Sequence, residues 1–160
     1  MSHDFLINTS QPKSLIYGEL LIQAEALVNS ESDKLANCCN LIAALKQAFG
    51  FWWVGIYYVK GNGLVLGPFQ GPIACTRIGF GKGVCGTAWQ RKEVVVVDDV
   101  DTFPGHIACS SLSKSEIVVP ILRNKEVIAV LDIDSDKYAD FDNTDTIYLS
   151  KLAHLFEQNV

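Results

Sequence analysis

Apolar residues follow two different periods along this chain, and the change between them divides it into elements. From Ser14, Ile16, Leu20, Leu21, Ala24, Leu27 and Val28 recur at the three-to-four spacing of one helical face. Asn29, Ser30 and Ser32 interrupt the pattern, and Ser32 stands where the N-cap of a second helix is expected. The core side of that helix reads Leu35, Cys38, Cys39, Ile42, Leu45 and Phe49, and Gly50 follows as a left-handed terminator would. Cys38 and Cys39 lie on or beside the apolar stripe, so packing accounts for them without chemistry.

After Gly50 the period drops to two. FWWVGIYYV is aromatic and β-branched, with Trp53, Gly55 and Tyr57 on one face and Trp52, Val54, Ile56 and Tyr58 on the other. Both faces are largely apolar, as in a central strand covered on each side. A turn at Lys60-Gly61-Asn62-Gly63 folds it back onto LVLGPF. A short strand is expected over 73–78, a glycine-rich bend over 79–86, a two-turn helix over 84–91 and a strand over 94–97. Residues 98–115 then show no convincing period, and unstructured connections of that length inside a domain are usually functional.

Strands over 116–122 and 127–134 follow, joined at Arg123-Asn124-Lys125. A three-residue loop sets Glu116 opposite Asp132, with Asp134 two residues along on the same face. A two-residue loop sends Glu116 to the other side. A last helix begins at Asp142 or Asn143 and carries Tyr148, Leu149, Leu152, Leu155 and Phe156 as its stripe. With 1–13 as a polar lead-in, the 160 residues read as a single α+β domain, a mainly antiparallel six-stranded sheet with helices packed on it.

Charge and chemistry narrow the picture. A net charge of −5 without any Lys/Arg cluster argues against a nucleic-acid surface. The apolar runs are too short to span a bilayer, and the N-terminus lacks a basic stretch followed by a long apolar one, so no membrane or secretory role is expected. A cytoplasmic, reducing location follows as the expectation. There, five cysteines speak for catalysis, metal binding or packing rather than a disulfide framework.

Cys75, Cys85 and Cys109 each sit in a segment rich in Gly, Ser or Thr, a setting that core-filling thiols do not need. Glu116, Asp132 and Asp134 lie in strands that otherwise read as buried, where a carboxylate costs several kcal/mol unless paired, protonated or facing a pocket. These six residues are expected to form one redox site, with a thiolate as nucleophile and a neutral carboxylic acid, Glu116 the candidate, as proton donor. The spacings of Cys75, Cys85, Cys109 and His106 lack paired C-x2-C knuckles, so no metal is assigned to them. Gly81 to Gly86 matches G-x-G-x-x-G, but the helix is too short for a dinucleotide unit, and no bound cofactor is expected. His106 reads as a loop residue orienting Cys109 or facing solvent.

At GVCGTA, HIAC, SEIVVPI and VLDIDS the chain resembles the free methionine-(R)-sulfoxide reductases, single-domain enzymes of the GAF fold, over residues 15–157. The resemblance implies that Cys109 is the catalytic cysteine and Cys75 the resolving one. Cys85 is the third family cysteine, and the order of attack between it and Cys109 stays open. It places Trp53, Tyr57, Glu116, Asp132 and Asp134 in the substrate pocket. It implies regeneration by thioredoxin, ultimately from NADPH, and is compatible with a homodimer. The rival readings are a small-molecule-sensing GAF module and a thiol redox sensor without turnover. Asn124-Lys125 and Phe141-x3-Asp145 partly match a nucleotide-binding GAF signature, with Thr146 in place of its Glu.

Overall fold

Proline at position 12 starts the first helix, α1 (Lys13–Asn29), where a missing N–H costs nothing. The computed structural model describes residues 5–107 and 112–160. The second helix, α2 (Lys34–Phe49), is capped by Asp33 and not by Ser32: the Asp33 carboxylate accepts from Ala36 N at 2.8 Å. Ser32 is instead held in the preceding turn, its N–H donating to Glu31 Oε1 at 2.6 Å. Gly50 terminates α2 at φ 67° with its N–H on Lys46 O, as its position demanded. The buried face of α2 runs through Asn37, Cys38, Leu41, Ile42, Leu45 and Ala48, while Leu35 and Cys39 are exposed. Asn37 makes that rotation workable, because its side chain bonds Glu31 O and Asn159 Oδ1.

The sheet comprises β1 (Trp53–Lys60), β2 (Gly63–Gln70), β3 (Arg77–Gly79), β4 (Val95–Val97), β5 (Ser115–Arg123) and β6 (Glu126–Ser135). Its order is β3-β2-β1-β6-β5-β4, and every pairing is antiparallel. Between β3 and β4 lies α3 (Gly83–Arg91), and α4 (Asn143–Asn159) closes the chain. No described helix is long and apolar enough to cross a membrane.

The strand expected over 73–78 shrinks to Arg77–Gly79. Side chains of β1 take up backbone carbonyls of the preceding segment: Trp53 Nε1 donates to Pro72 O at 3.1 Å and Tyr57 Oη to Cys75 O at 3.0 Å. That segment therefore lines a pocket instead of extending the sheet. The connection after β4 holds a 3-10 turn at Val100–Thr102, capped by Asp99 and anchored by buried Val100.

The β5–β6 register differs from expectation in two compensating ways. The turn is two residues long, Asn124 and Lys125 at φ 51° and 66°, the primed geometry that suits strand twist. Alone, it would put Glu116 on the wrong face. A bulge between Ile121 and Leu122, which leaves Ile128 unpaired, shifts the register by one more residue. Glu116 thus returns to the face of Asp132 and Asp134, but it pairs with Asp134, and Val118 lies opposite Asp132.

Alternation then sorts the sheet's two faces. Val54, Ile56, Ile117, Val119, Leu131 and Ile133 pack against α1, α2 and α4. Trp53, Tyr57, Val118 and Val130 face α3, meeting Val84, Cys85 and Ala88. The large helical layer carries most of the buried apolar area, which leaves the smaller face free to be polar where a site requires it. Asp145 closes the larger layer: fully buried, it accepts from Tyr17 Oη at 2.7 Å and Lys13 Nζ at 2.6 Å, and completes the α4 capping box. The residues that partly match the nucleotide signature thus have structural roles, Asn124-Lys125 as the turn, Phe141 in the core and Asp145 as the cap.

Candidate active site

Three strands and one helix converge on a pocket on the α3 side of the sheet. Glu116 comes from β5, Asp132 and Asp134 from β6, Trp53 and Tyr57 from β1, and Cys85 from the first turn of α3. Residues 72–74 form one lip; His106 and Ile107 form another. The strand residues meet because they share one parity on neighbouring strands. The α3 residues meet them because Gly86 lets the helix seat, a Cβ there falling 2.4 Å from Gly79 O.

Trp53 is the aromatic wall. It is 5% exposed, lies 5.4 Å from Phe69 at 16° and 6.0 Å from Tyr57 at 27°, and is pinned by its bond to Pro72 O. Glycines on either side make room for it. A Cβ on Gly55 would lie 2.4 Å from Trp53 Cη2, and one on Gly71, whose φ is 141°, 2.6 Å from Trp53 Cδ1. Tyr57 is buried, and burial together with the nearby carboxylates raises its phenol pKa, so it remains a hydrogen-bond donor to Cys75 O.

The carboxylates form the floor. Glu116 and Asp132 are each 6% exposed, and Cys85 Sγ and one oxygen of each all lie within 4.8 Å of one another. Burial, then the charges of Asp132 and Asp134, pushes Glu116 well above the usual carboxylate range. Asp134 is raised likewise by burial and by Asp132, against a hydrogen bond with Ser113. Burial pushes Asp132 up to about 6, opposed by hydrogen bonds from the Cys85 thiol and the Glu116 carboxyl. Asp132 is therefore the acceptor of the set and Glu116 a proton-bearing donor to it; the three titrate together. Asp132 Oδ1, although buried, meets no donor among the described residues.

Cys85 is 3% exposed, and burial followed by the neighbouring carboxylates raises its thiol pKa well above the ordinary value. It sits here as a thiol, not a thiolate. Cys75 is half-buried and disulfide-bonded, whereas Cys38, Cys39 and Cys85 are free. Cys109 lies outside the described residues, and its expected role is not located by the geometry.

Trp53, Tyr57, Cys85, Glu116, Asp132 and Asp134 are thus brought together in one pocket, with Cys75 held beside them through Tyr57. Two further residues join them: Ser113, which was not anticipated, and His106, which was read as orienting Cys109 or facing solvent. His106 faces inward, its Nε2 3.9 Å from Glu116 Oε2, and burial lowers its pKa so that the ring is neutral near pH 7. Ser113 supports Asp134. Both lie in the connection that lacks a period, so no pattern could orient them, although its unusual length was itself a signal.

A curled antiparallel sheet with helices on one face and a ligand-sized pocket on the other is the architecture of a GAF domain, and residues 29–160 match the GAF domain family model. The chain is 56% identical over 142 residues to GAF domain-containing protein A of Dictyostelium discoideum, covering 88% of this chain and 90% of that protein. It is 42% identical over 156 residues to free methionine-R-sulfoxide reductase of Saccharomyces cerevisiae, covering 92% and 87%. It matches the X-ray structure of free methionine-R-sulfoxide reductase from Neisseria meningitidis in complex with its substrate at TM-score 0.95 and 51% identity, covering 99% of this chain and 95% of that one. The chain belongs to the free methionine-R-sulfoxide reductase family of GAF-domain proteins.

Proposed function

We propose that this protein reduces free L-methionine-(R)-sulfoxide to L-methionine in the pocket between α3 and the sheet, recycling through a disulfide that an external dithiol, thioredoxin supplied ultimately by NADPH, reduces. The observation that carries this reading is the meeting of a proton-bearing carboxyl, Glu116, with an unpartnered buried acceptor, Asp132 Oδ1, on a floor walled by Trp53 and Tyr57. A free amino acid brings an ammonium group for that acceptor, and methionine sulfoxide brings its S-methyl group for the aromatic wall. A peptide-bound residue has no ammonium to offer.

The thiolate of Cys109 attacks the sulfoxide sulfur while the Glu116 carboxyl, within the coupled set, protonates the departing oxygen. Oxygen passes to the cysteine: thiolate, sulfoxide and one proton become sulfenic acid and thioether. Cys75 then displaces water from that sulfenic acid to form the disulfide, and two electrons from a dithiol restore both thiols. The disulfide at Cys75 supports this assignment. Burial beside carboxylates keeps Cys85 protonated, which favours Cys109 over Cys85 as first attacker. Cys85 serves as a hydrogen-bond donor to Asp132.

The test is turnover of free methionine-(R)-sulfoxide by Cys109→Ser protein with excess dithiol. Loss of methionine formation is expected, and activity near wild type removes Cys109 from the nucleophile role. A second expectation concerns the aromatic wall. In Gly55→Ala the new methyl meets the Trp53 ring and Phe69, so the indole must move. KM should rise about tenfold, the equivalent of roughly 1.4 kcal/mol, with a smaller change in kcat. An unchanged KM in steady-state kinetics would show that the ring's placement is not used in binding.

A further inference from the structure

The same floor has a second competence that reduction does not use. Cys85 Sγ, a Glu116 oxygen and an Asp132 oxygen lie within 4.8 Å of one another, and His106 Nε2 stands 3.9 Å from Glu116 Oε2. One sulfur, two carboxylates and an imidazole form a donor set that suits zinc, and only modest inward shifts bring them to zinc-ligand distances of about 2.0–2.3 Å. The set shares Cys85 and His106 with the arrangement that the sequence spacings argue against, but replaces Cys75 and Cys109 with the carboxylates of Glu116 and Asp132. An independent observation points to a ligand: Asp132 is 6% exposed, yet its Oδ1 has no hydrogen-bond partner among the described residues. A buried acceptor left unmatched is unfavourable, so the pocket is built for a positive guest.

We propose that, when no substrate is present, the pocket binds a borderline-soft divalent cation of the Zn2+ class through Cys85, Glu116 and Asp132, with His106 closing the coordination. The ion and a substrate ammonium group claim the same Asp132 oxygen, so one excludes the other. Coordination deprotonates both the Cys85 thiol and the Glu116 carboxyl, releasing their protons to solvent, and without the Glu116 proton the metal-loaded protein is an inactive form. The binding claim itself does not depend on the reductase reading, because it is read from a spectrum rather than from turnover.

The experiment uses the full chain with Cys75 disulfide-bonded, so that this sulfur cannot ligate, and titrates it with Co2+ as a spectroscopic stand-in, followed by Zn2+. Expected is a thiolate-to-cobalt charge-transfer band in the near ultraviolet that Zn2+ abolishes and that Cys85→Ser protein never shows. Asp132→Asn should keep the fold and weaken Co2+ binding by at least about tenfold, the loss that even outer-shell partners commonly cause. Absence of the band in the wild-type protein overturns the proposal. So does its persistence in Cys85→Ser, which would place the metal on other thiols, or unchanged affinity in Asp132→Asn, which would remove Asp132 from the ligands.

Discussion

Glu116→Gln protein should fold, bind substrate and turn over about 10²-fold or more slowly, the range lost with a general acid. Gln is a close stand-in for the protonated carboxyl that burial and neighbouring charges enforce, so the substitution keeps shape and neutrality and removes only the transferable proton. The sign of the stability change separates this from a structural defect. A carboxyl whose pKa is raised on folding contributes stability below its unfolded pKa, and that contribution is lost as pH rises through the folded value. Gln has no proton to lose. Thermal unfolding should therefore show the variant equal to wild type at acidic pH and more stable at alkaline pH, while kcat falls throughout. A kcat within threefold of wild type would assign the proton to another member of the cluster.

Cys75→Ser should complete the chemical step once and then stop. With no partner for the sulfenic acid, the protein should release about one methionine per chain from excess sulfoxide and fail to continue with thioredoxin, a loss of essentially all thioredoxin-linked turnover. A quenched time course measures the burst, and a sulfenic-acid probe should label the protein after it. The Tyr57 bond is to the Cys75 carbonyl, not its sulfur, so the loop anchor survives the change. Sustained cycling with thioredoxin would refute the resolving role.

Period and parity explain why so much of this site was legible in the chain. Trp53 and Tyr57 share a face because strand side chains alternate, and carboxylates inside runs such as VLDIDS mark a pocket because a buried charge needs a reason. The register was less readable. It depends on a two-residue turn and a bulge at Ile128, each a one-residue event that hydrophobic pattern does not encode, and only their cancellation kept Glu116 on the right face. The segment before β3 reads as a strand by composition, but side chains of β1 claim its carbonyls, a tertiary effect. Ser32 and Asp33 compete for one cap, and the choice turns on which side chain reaches the Ala36 N–H. Leu35 shows the same limit on α2, since a stripe one residue wide cannot say which edge faces in.

The rival sensor readings part from the enzyme on a single point, turnover. A ligand-sensing module binds without changing its ligand, and a thiol sensor consumes at most its own reducing equivalents. The direct measurement is the number of methionines formed per chain from free methionine-(R)-sulfoxide, with dithiol in excess and the N-acetylated sulfoxide as comparison. Many turnovers are expected on the free amino acid and few on the blocked one. A yield that stops at one methionine per chain in the wild-type protein, or equal rates on both compounds, would contradict the enzyme reading.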